Sequence, residues 1–500
     1  MKQIEADVVI VGAGGAGACA AIAAQERGAR VVLLEKAKVV AACATSFAGC
    51  IFGAGTHMQE ERGICVPKQK AFEMMMDHNH WQCDASVVRR FVFGSADTIE
   101  WLLDNGMEIP IVATKTERED EFATAHILKP CGPGHGGVTL VQEFVRKAQE
   151  QGAELFLNCE ARELLMDHGQ IIGVRADWQG TELVVKAPSV ILSAGGYGAN
   201  AEMIREHDHY ELGENLFLLH EFSQIQGDGL KMAWAAGAKK TGMGPQLAGY
   251  VIKGPGIAGA APWLVLNQLK ICIEQPWLWV NKKGKRFLNE ANVMNAPFVS
   301  NAIEQQPDKC AYVIFDRNCR DFLATEGAIN HMDLWGDAQI KNLDAQMERC
   351  IRLGNKDVFI CHSLEDISAQ TGIDFEGLQK TVARYNAFCE KGEDEEFGKN
   401  PDYLEPLNTP DYYVFRIINN FYGTIGGIRI NENMEVVNNE FDVIAGLYAA
   451  GADACNHYGG FRPTYNINLA GGTLGWAINS GRMAGYAAAE YAVEKKEAAV

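Results

Sequence analysis

What this sequence lacks narrows it first. Its 14 cysteines never stand in a Cys-x-x-Cys or Cys-x-x-Cys-His spacing, nor in the paired pattern of a zinc site, so no iron–sulfur, haem-attachment or zinc signature is present. Scattered thiols of this kind suit a reducing compartment, where most serve as small core residues. His78-Asn-His80 is too little for a metal centre, and a solvated loop is expected there; no metal is expected anywhere. Basic residues are in deficit. Lys and Arg number 45 against 64 Asp and Glu, a net charge of −19, and no basic stripe offsets it. Nucleic-acid phosphates would be repelled, which excludes that class of partner. No apolar run reaches the length of a membrane span, and the first strand begins just after Asp7, leaving no room for a signal peptide. The expectation is a cytoplasmic chain without a membrane span. Internal repeats and low-complexity linkers are also missing, which sets aside solenoids and arrays.

What is present begins at residues 7–36, DVVIVGAGGAGACAAIAAQERGARVVLLEK. An apolar run, Val8 to Val11, breaks at Gly12-Ala-Gly14-Gly15-Ala-Gly17. An Ala-rich helical segment follows, and a second apolar run, Val31 to Leu34, ends at Glu35 and Lys36. This is a complete βαβ nucleotide cradle. Gly12 permits the tight turn, Gly14 lets backbone approach a pyrophosphate, and Gly17 lets helix and strand pack closely. Glu35 stands where an acid accepts from a ribose hydroxyl.

At 500 residues the chain is long enough for two or three units. After the cradle, KVVAACATSFAGCIFGAGT offers small residues and the hydroxyls of Thr45 and Ser46, the composition of a chain passing close to a cofactor at Gly49. Residues 67–106 read as helices, residues 117–121 as a charged surface loop, and Gly136-Gly137 as the opening of a helix to Gln151. A strand at Leu155 to Leu157 leads into Cys159-Glu-Ala161, and 171–176 with 183–186 form an antiparallel ribbon. The run from Ser189 ends at Ala194-Gly195-Gly196, a second close backbone approach to a ligand. Gly227-Asp228-Gly229 starts a turn and helix. From 243 to 418 the composition shifts to aromatics, with Trp263, Trp277 and Trp279, and the glycine-rich pattern disappears; this stretch is the candidate inserted domain. It carries an expected strand at 311–315, helices near 340–352 and 375–390, and a surface loop at 391–396. From Gly446 the glycine pattern returns and a helix runs to about 496.

Three separated pieces, the N-terminal fingerprint, the Ala194-Gly195-Gly196 strand end and the terminal LYAAGADA…LAGGTLGWAINSGRMAG, together resemble the flavoprotein subunit family of fumarate reductase and succinate dehydrogenase. That family includes soluble fumarate and urocanate reductases and 3-ketosteroid dehydrogenases. The segments GDGLKMAWAAGA, VNKKGKRFLNE and TVARYNAFCEKGEDEEFGK extend the resemblance nearly end to end. It implies an α/β fold: a Rossmann-like FAD-binding domain, discontinuous in sequence as residues 1–242 and 419–500, with an inserted α+β capping domain over 243–418. It also implies non-covalent FAD and hydride transfer between flavin N5 and a carbon of a C–C bond next to a carbonyl or carboxylate. By position, Glu35 would bind the adenosine ribose and Ala161 would lie by the adenine. Asp228 and Asp453 are candidates for the ribityl chain or nearby groups. Gly472, Thr473 and Leu474 would turn their amides to the flavin pyrimidine, with Gly451 on the same returning segment.

The departures from the resemblance bear on substrate. Where fumarate-reducing relatives carry a proton-delivering arginine four residues after the motif Arg286-Phe-Leu-Asn-Glu290, this chain has Met294; where a second arginine clamps a carboxylate, it has Asn468. Tyr422-Gly423 replaces histidine before Thr424-Ile-Gly-Gly427. A dianion would lose charge-assisted contacts of ~2–5 kcal/mol each, so fumarate is set aside. Another group must then move the proton, and the resemblance to 3-ketosteroid dehydrogenases, which use tyrosines for this, implies Tyr422 and Tyr465 as the first candidates, with Tyr250 a third and Arg462 a candidate replacement cation. Arg286 and Glu290 read as a structural turn, and His126 as a satisfied core histidine. The resulting expectation is an FAD-dependent oxidoreductase of enones, such as a ketosteroid or another cyclic enone, with a small-molecule substrate and an external electron donor or acceptor. Two alternatives stand beside it: a reductase of unsaturated carboxylates with a relocated anion clamp, and a flavin electron-transfer subunit with no substrate of its own.

Overall fold

The computed structural model describes residues 1–112, 123–130, 136–220, 222–257, 268–330, 339–454 and 470–498. The chain divides into two compact units. The first comprises Met1–His209, His220–Gln246 and Tyr422–Val500; the second comprises Tyr210–Leu219 and Leu247–Phe421. The sequence expectation assigns the ten residues Tyr210–Leu219 to the first segment of the nucleotide domain, whereas they group with the second unit. The reason is strand pairing. Leu216–Leu218 lies parallel to Asn419–Phe421, a partner that no local pattern announces.

The first unit is built on β1 (Val8–Val11), α1 (Gly15–Gln25), β2 (Val31–Leu34), β3 (Glu154–Phe156), β4 (Ser189–Leu192), α2 (Asp228–Ala235), β5 (Glu435–Val437), β6 (Val443–Ala449) and α3 (Gly472–Ala498). The six strands form one sheet in the order β5-β6-β4-β1-β2-β3. Every neighbouring pair is parallel except β5 with β6. Parallel strands covered on both faces need uninterrupted apolar runs. β1, β2 and β4 are accordingly buried at every residue. Helices α1 and α3 meet through small residues. A Cβ on Gly481 would stand 2.2 Å from the Ala16 carbonyl oxygen, and one on Gly485 2.4 Å from that of Ala20. The expected ribbon is present as Gln170–Trp178 paired antiparallel with Thr181–Lys186, inside a four-stranded sheet.

The second unit has its own sheet and core. Its central strand is the part of Tyr412–Gly426 that runs to Phe421. Cys310–Asp316 lies antiparallel along one edge, and Val358–Cys361 and Leu216–Leu218 share the other. Trp277, Trp279, Phe315, Phe415 and Leu323 fill the core, and helices Leu343–Arg352 and Phe375–Lys391 lie where the periodicity places them. Arg286, Glu290 and Asp394 form a buried ion cluster: the guanidinium donates to Glu290 at 2.8 and 2.9 Å and to Asp394 at 2.9 and 3.0 Å. Residues 391–396 are therefore more than a solvated loop, because Asp394 is drawn into the core to neutralise Arg286. No helix among the described residues is long and apolar enough to cross a membrane.

Candidate active site

The chain leaves β1 through Gly12, whose φ of +95° suits only a residue without a Cβ. α1 begins so close to this turn that a Cβ on Gly17 would stand 1.9 Å from the Gly12 carbonyl oxygen. Gly14 opens α1 with no side-chain cap, which leaves first-turn amides for an anion. The Gly15 amide donates to Thr45 Oγ1 at 3.2 Å. Glu35 accepts from the Ala13 amide at 2.9 Å and from the Ala37 amide at 2.7 Å, holding the turn against the end of β2. Burial pushes its carboxyl upward despite these bonds. Each carboxylate oxygen keeps a second lone pair for a hydroxyl. Lys36 and Asp228, expected separately at the cofactor, meet each other: Lys36 Nζ lies 2.9 Å from Asp228 and 2.8 Å from Glu160. The Cys159 amide donates to the Glu35 carbonyl at 2.9 Å, so the strand bearing buried Ala161 starts beside Glu35. Glycine turn, uncapped helix and acid together fit the pyrophosphate and ribose of a dinucleotide.

Ser193 stitches the second glycine approach to the first, its hydroxyl lying 3.0 Å from both the Val11 and Gly12 carbonyls. Ala194 and Gly195 remain partly open beyond it. Asp453 departs from expectation. It is wholly buried and accepts from the amides of Ala194 at 2.6 Å and Gly196 at 2.8 Å, so it offers no surface to a cofactor. Its role is to pin the end of β4, and burial pushes its carboxyl up to about 6. Gly451 is likewise engaged from within: its amide donates to Ser480 Oγ at 2.9 Å and its carbonyl accepts from Trp476 at 3.0 Å. At the start of α3, Gly472 and Leu474 are buried, and Thr473 Oγ1 takes the Gln246 side-chain amide.

The segment from Thr45 to Cys50 runs from the cradle to Tyr422. Ser46 is buried, its hydroxyl bonded to the Ala41 carbonyl. Gly49 accepts at its carbonyl from the Leu128 amide at 2.8 Å. Tyr422 is half-buried, and burial, with Cys50 close by, pushes its phenol up to about 12. At neutral pH it is therefore a protonated donor. His126 is a satisfied core histidine, as expected: Nδ1 meets the Thr124 carbonyl at 3.0 Å and Nε2 meets Thr56 Oγ1 at 2.9 Å. Tyr250 is corrected. Its ring packs edge-on to Trp279 in the core of the second unit and its hydroxyl donates to the Val293 carbonyl at 2.8 Å, so its proton is already committed. Tyr465, Arg462, Asn468, Trp263 and residues 117–121 lie outside the described residues.

Two features of the first unit escape sequence reasoning. Gln246 sits in an apolar stretch with no motif, and His220, a lone histidine in LLHEF, reads as core. Only the fold brings Gln246 to Thr473 and His220 to the Tyr422 main chain.

The FAD binding domain family matches residues 7–469. The chain is 31% identical to vinyl phenol reductase of Lactiplantibacillus plantarum over 98% of its own length and 97% of that protein. It is 30% identical to a fumarate reductase (cytochrome) of Shewanella frigidimarina, over 97% of this chain and 77% of the other. Among solved structures, the 3-ketosteroid delta1-dehydrogenase of Sterolibacterium denitrificans in complex with 1,4-androstadiene-3,17-dione superposes with a TM-score of 0.74 at 19% identity, covering 97% of this chain and 99% of that one.

Proposed function

This chain belongs to the FAD binding domain family, and from that premise we propose that it reduces or desaturates carbon–carbon bonds conjugated to oxygen in uncharged substrates, an enone such as a ketosteroid or another cyclic enone being the first choice. Bound FAD supplies the hydride chemistry at one carbon of the bond. We place it in the cradle without a covalent link. The amides that open α1 hold its pyrophosphate, Glu35 holds a ribose hydroxyl, and the Lys36–Asp228–Glu160 cluster steadies the same edge. The second unit acts in this reading as a cap.

The protein's own chemical task is the proton. In the reductive direction one carbon gains a hydride and its neighbour gains a proton; desaturation reverses both. Tyr422 carries the reading. A phenol raised to about 12 stays protonated in the resting enzyme and is matched to an enolate of similar basicity, the condition for efficient general acid catalysis. Tyr465 is its proposed companion. Met294, standing where the resemblance puts a proton-delivering arginine, and Asn468, where it puts a carboxylate clamp, favour a neutral substrate. The similarity to vinyl phenol reductase points the same way, because a vinyl phenol conjugates its double bond to an oxygen without a carboxylate. The similarity to a fumarate reductase keeps a second reading in play, an unsaturated-carboxylate reductase with Arg462 as a relocated clamp.

Anaerobically reduced holoenzyme mixed with 2-cyclohexenone, 4-androstene-3,17-dione, 4-vinylphenol, cinnamate and fumarate separates these readings. Reoxidation is expected with the uncharged compounds, and Tyr422→Phe should slow it about 100-fold at unchanged FAD content. Fast reoxidation by the carboxylates alone would sink the proposal. Unaltered rates in both Tyr422→Phe and Tyr465→Phe would favour an electron-transfer subunit.

A further inference from the structure

Asp453 commits both of its carboxylate oxygens to one short turn. Oδ2 accepts from the Ala194 amide at 2.6 Å and Oδ1 from the Gly196 amide at 2.8 Å. Gly195, between them, is half-exposed, and its own amide makes no hydrogen bond among the described residues. Gly195 and Gly196 stand at φ of +91° and +79°, a region open to glycine at little cost, so the local chain does not fix the turn by itself. The two bonds from a distant segment do.

The position of this turn indicates what the free amide meets. At the ends of the parallel strands the order is β4, β1, β2. β2 ends at Glu35, the proposed holder of a ribose hydroxyl, and β1 ends at the Gly12 turn proposed for the pyrophosphate. The β4 turn lies across β1 from Glu35. A dinucleotide laid over the strand ends therefore meets it with the half that follows the pyrophosphate. A Cβ on Gly12 would stand 2.4 Å from the Ser193 carbonyl oxygen, and one on Gly196 2.4 Å from Thr424 Oγ1, on the strand that carries Tyr422. The turn thus stands between the pyrophosphate turn and the proposed proton donor. The start of α2 backs the carboxylate in turn: a Cβ on Gly229 would stand 2.5 Å from Asp453 Oδ2.

We propose that Asp453 is a positioning residue for the ribityl–flavin half of FAD: by holding the Ala194 and Gly196 amides, it fixes the Gly195 amide as a donor to that half. This rests on FAD lying in the cradle, as proposed above, and is independent of the substrate. The sequence places Asp453 near the ribityl chain, and its complete burial makes that contact indirect. A donor already held in place loses little freedom when the cofactor binds, so the carboxylate governs affinity for the flavin half without touching it.

Full-length deflavo protein titrated with FAD and with ADP, which carries the adenosine and pyrophosphate alone, separates the two halves. Asp453→Asn keeps the shape of the side chain but turns an NH2 group toward one of the two amides. It should weaken FAD about tenfold, leave ADP within about twofold, and shift the absorbance of the bound flavin. Gly229→Ala presses a methyl onto Oδ2 while leaving the charge in place, and should give the same split. Wild-type FAD affinity and flavin absorbance in whichever of these variants folds would overturn the role of Asp453 and leave the cradle standing. Equal weakening of FAD and ADP, with a lower melting temperature, would overturn it too, because a merely structural carboxylate acts on both ligands. Glu35→Ala should weaken both ligands; if it spares both, FAD does not lie in the cradle, and the role of Asp453 falls with that placement.

Discussion

Asp453 and His220 are both sealed from solvent, yet burial moves them in opposite directions. Asp453 is pushed up to about 6 from an ordinary carboxylate value near 4, so the folded state binds its proton more tightly than the unfolded chain does. The stability it contributes is fully present below about pH 4 and is lost as pH rises through about 6. His220, pushed down to about 4, contributes stability that is present above about pH 6.5 and lost as pH falls toward 4. Each window carries on the order of 3 kcal/mol. Denaturant melts of wild type, Asp453→Asn and His220→Phe at several pH values between these limits should resolve both. The wild-type advantage over Asp453→Asn should shrink as pH rises from 4.5 to 6.5, and the gap to His220→Phe should move in the phenylalanine variant's favour as pH falls over the same range. Parallel curves for wild type and either variant would show that the group titrates alike folded and unfolded. A histidine in LLHEF and an aspartate in GADA gave no hint of these environments, because both depend on backbone amides and rings brought in from distant segments.

Elements were more legible than residues where one local physical need fixes both sequence and shape. The turn at Gly12, the closeness of Gly17 to it and the acid ending β2 form one self-contained unit, so pattern and structure coincide. Asn419–Phe421 could not announce Leu216–Leu218 as its neighbour, since the pairing spans some two hundred residues of chain. The helix contact between α1 and α3 lies between these cases: SGRMAG shows small residues four apart, but only the fold reveals that they face the Ala16 and Ala20 carbonyls. α1 carries the amides proposed for the pyrophosphate, so this contact sets how firmly they are held. Gly481→Ala would force a methyl to within 2.2 Å of the Ala16 carbonyl oxygen, and either helix must shift. Overpacking of this kind costs about 1–3 kcal/mol, and FAD affinity should fall with stability. Calorimetry with and without added FAD measures both. A Gly481→Ala protein with wild-type melting temperature and FAD content would mean that the contact is loose.

Across the whole molecule the acidic balance sets the long-range field that a redox partner meets. The proposed electron donor or acceptor is a separate molecule. With a net charge of −19, the chain concentrates cations around itself and repels anions, over a range that salt shortens. The same charge should therefore sort redox mediators. Stopped-flow reduction of the holoenzyme by viologen radical cation should slow several-fold as salt rises from about 20 to about 200 mM, because attraction is screened. Reduction by anionic dithionite should quicken over the same range, because repulsion is screened instead. Opposite slopes would mean that the overall field reaches the point of electron entry. A flat response to salt with both mediators would place that entry where local groups outweigh the net charge, and would remove the argument for a cationic partner.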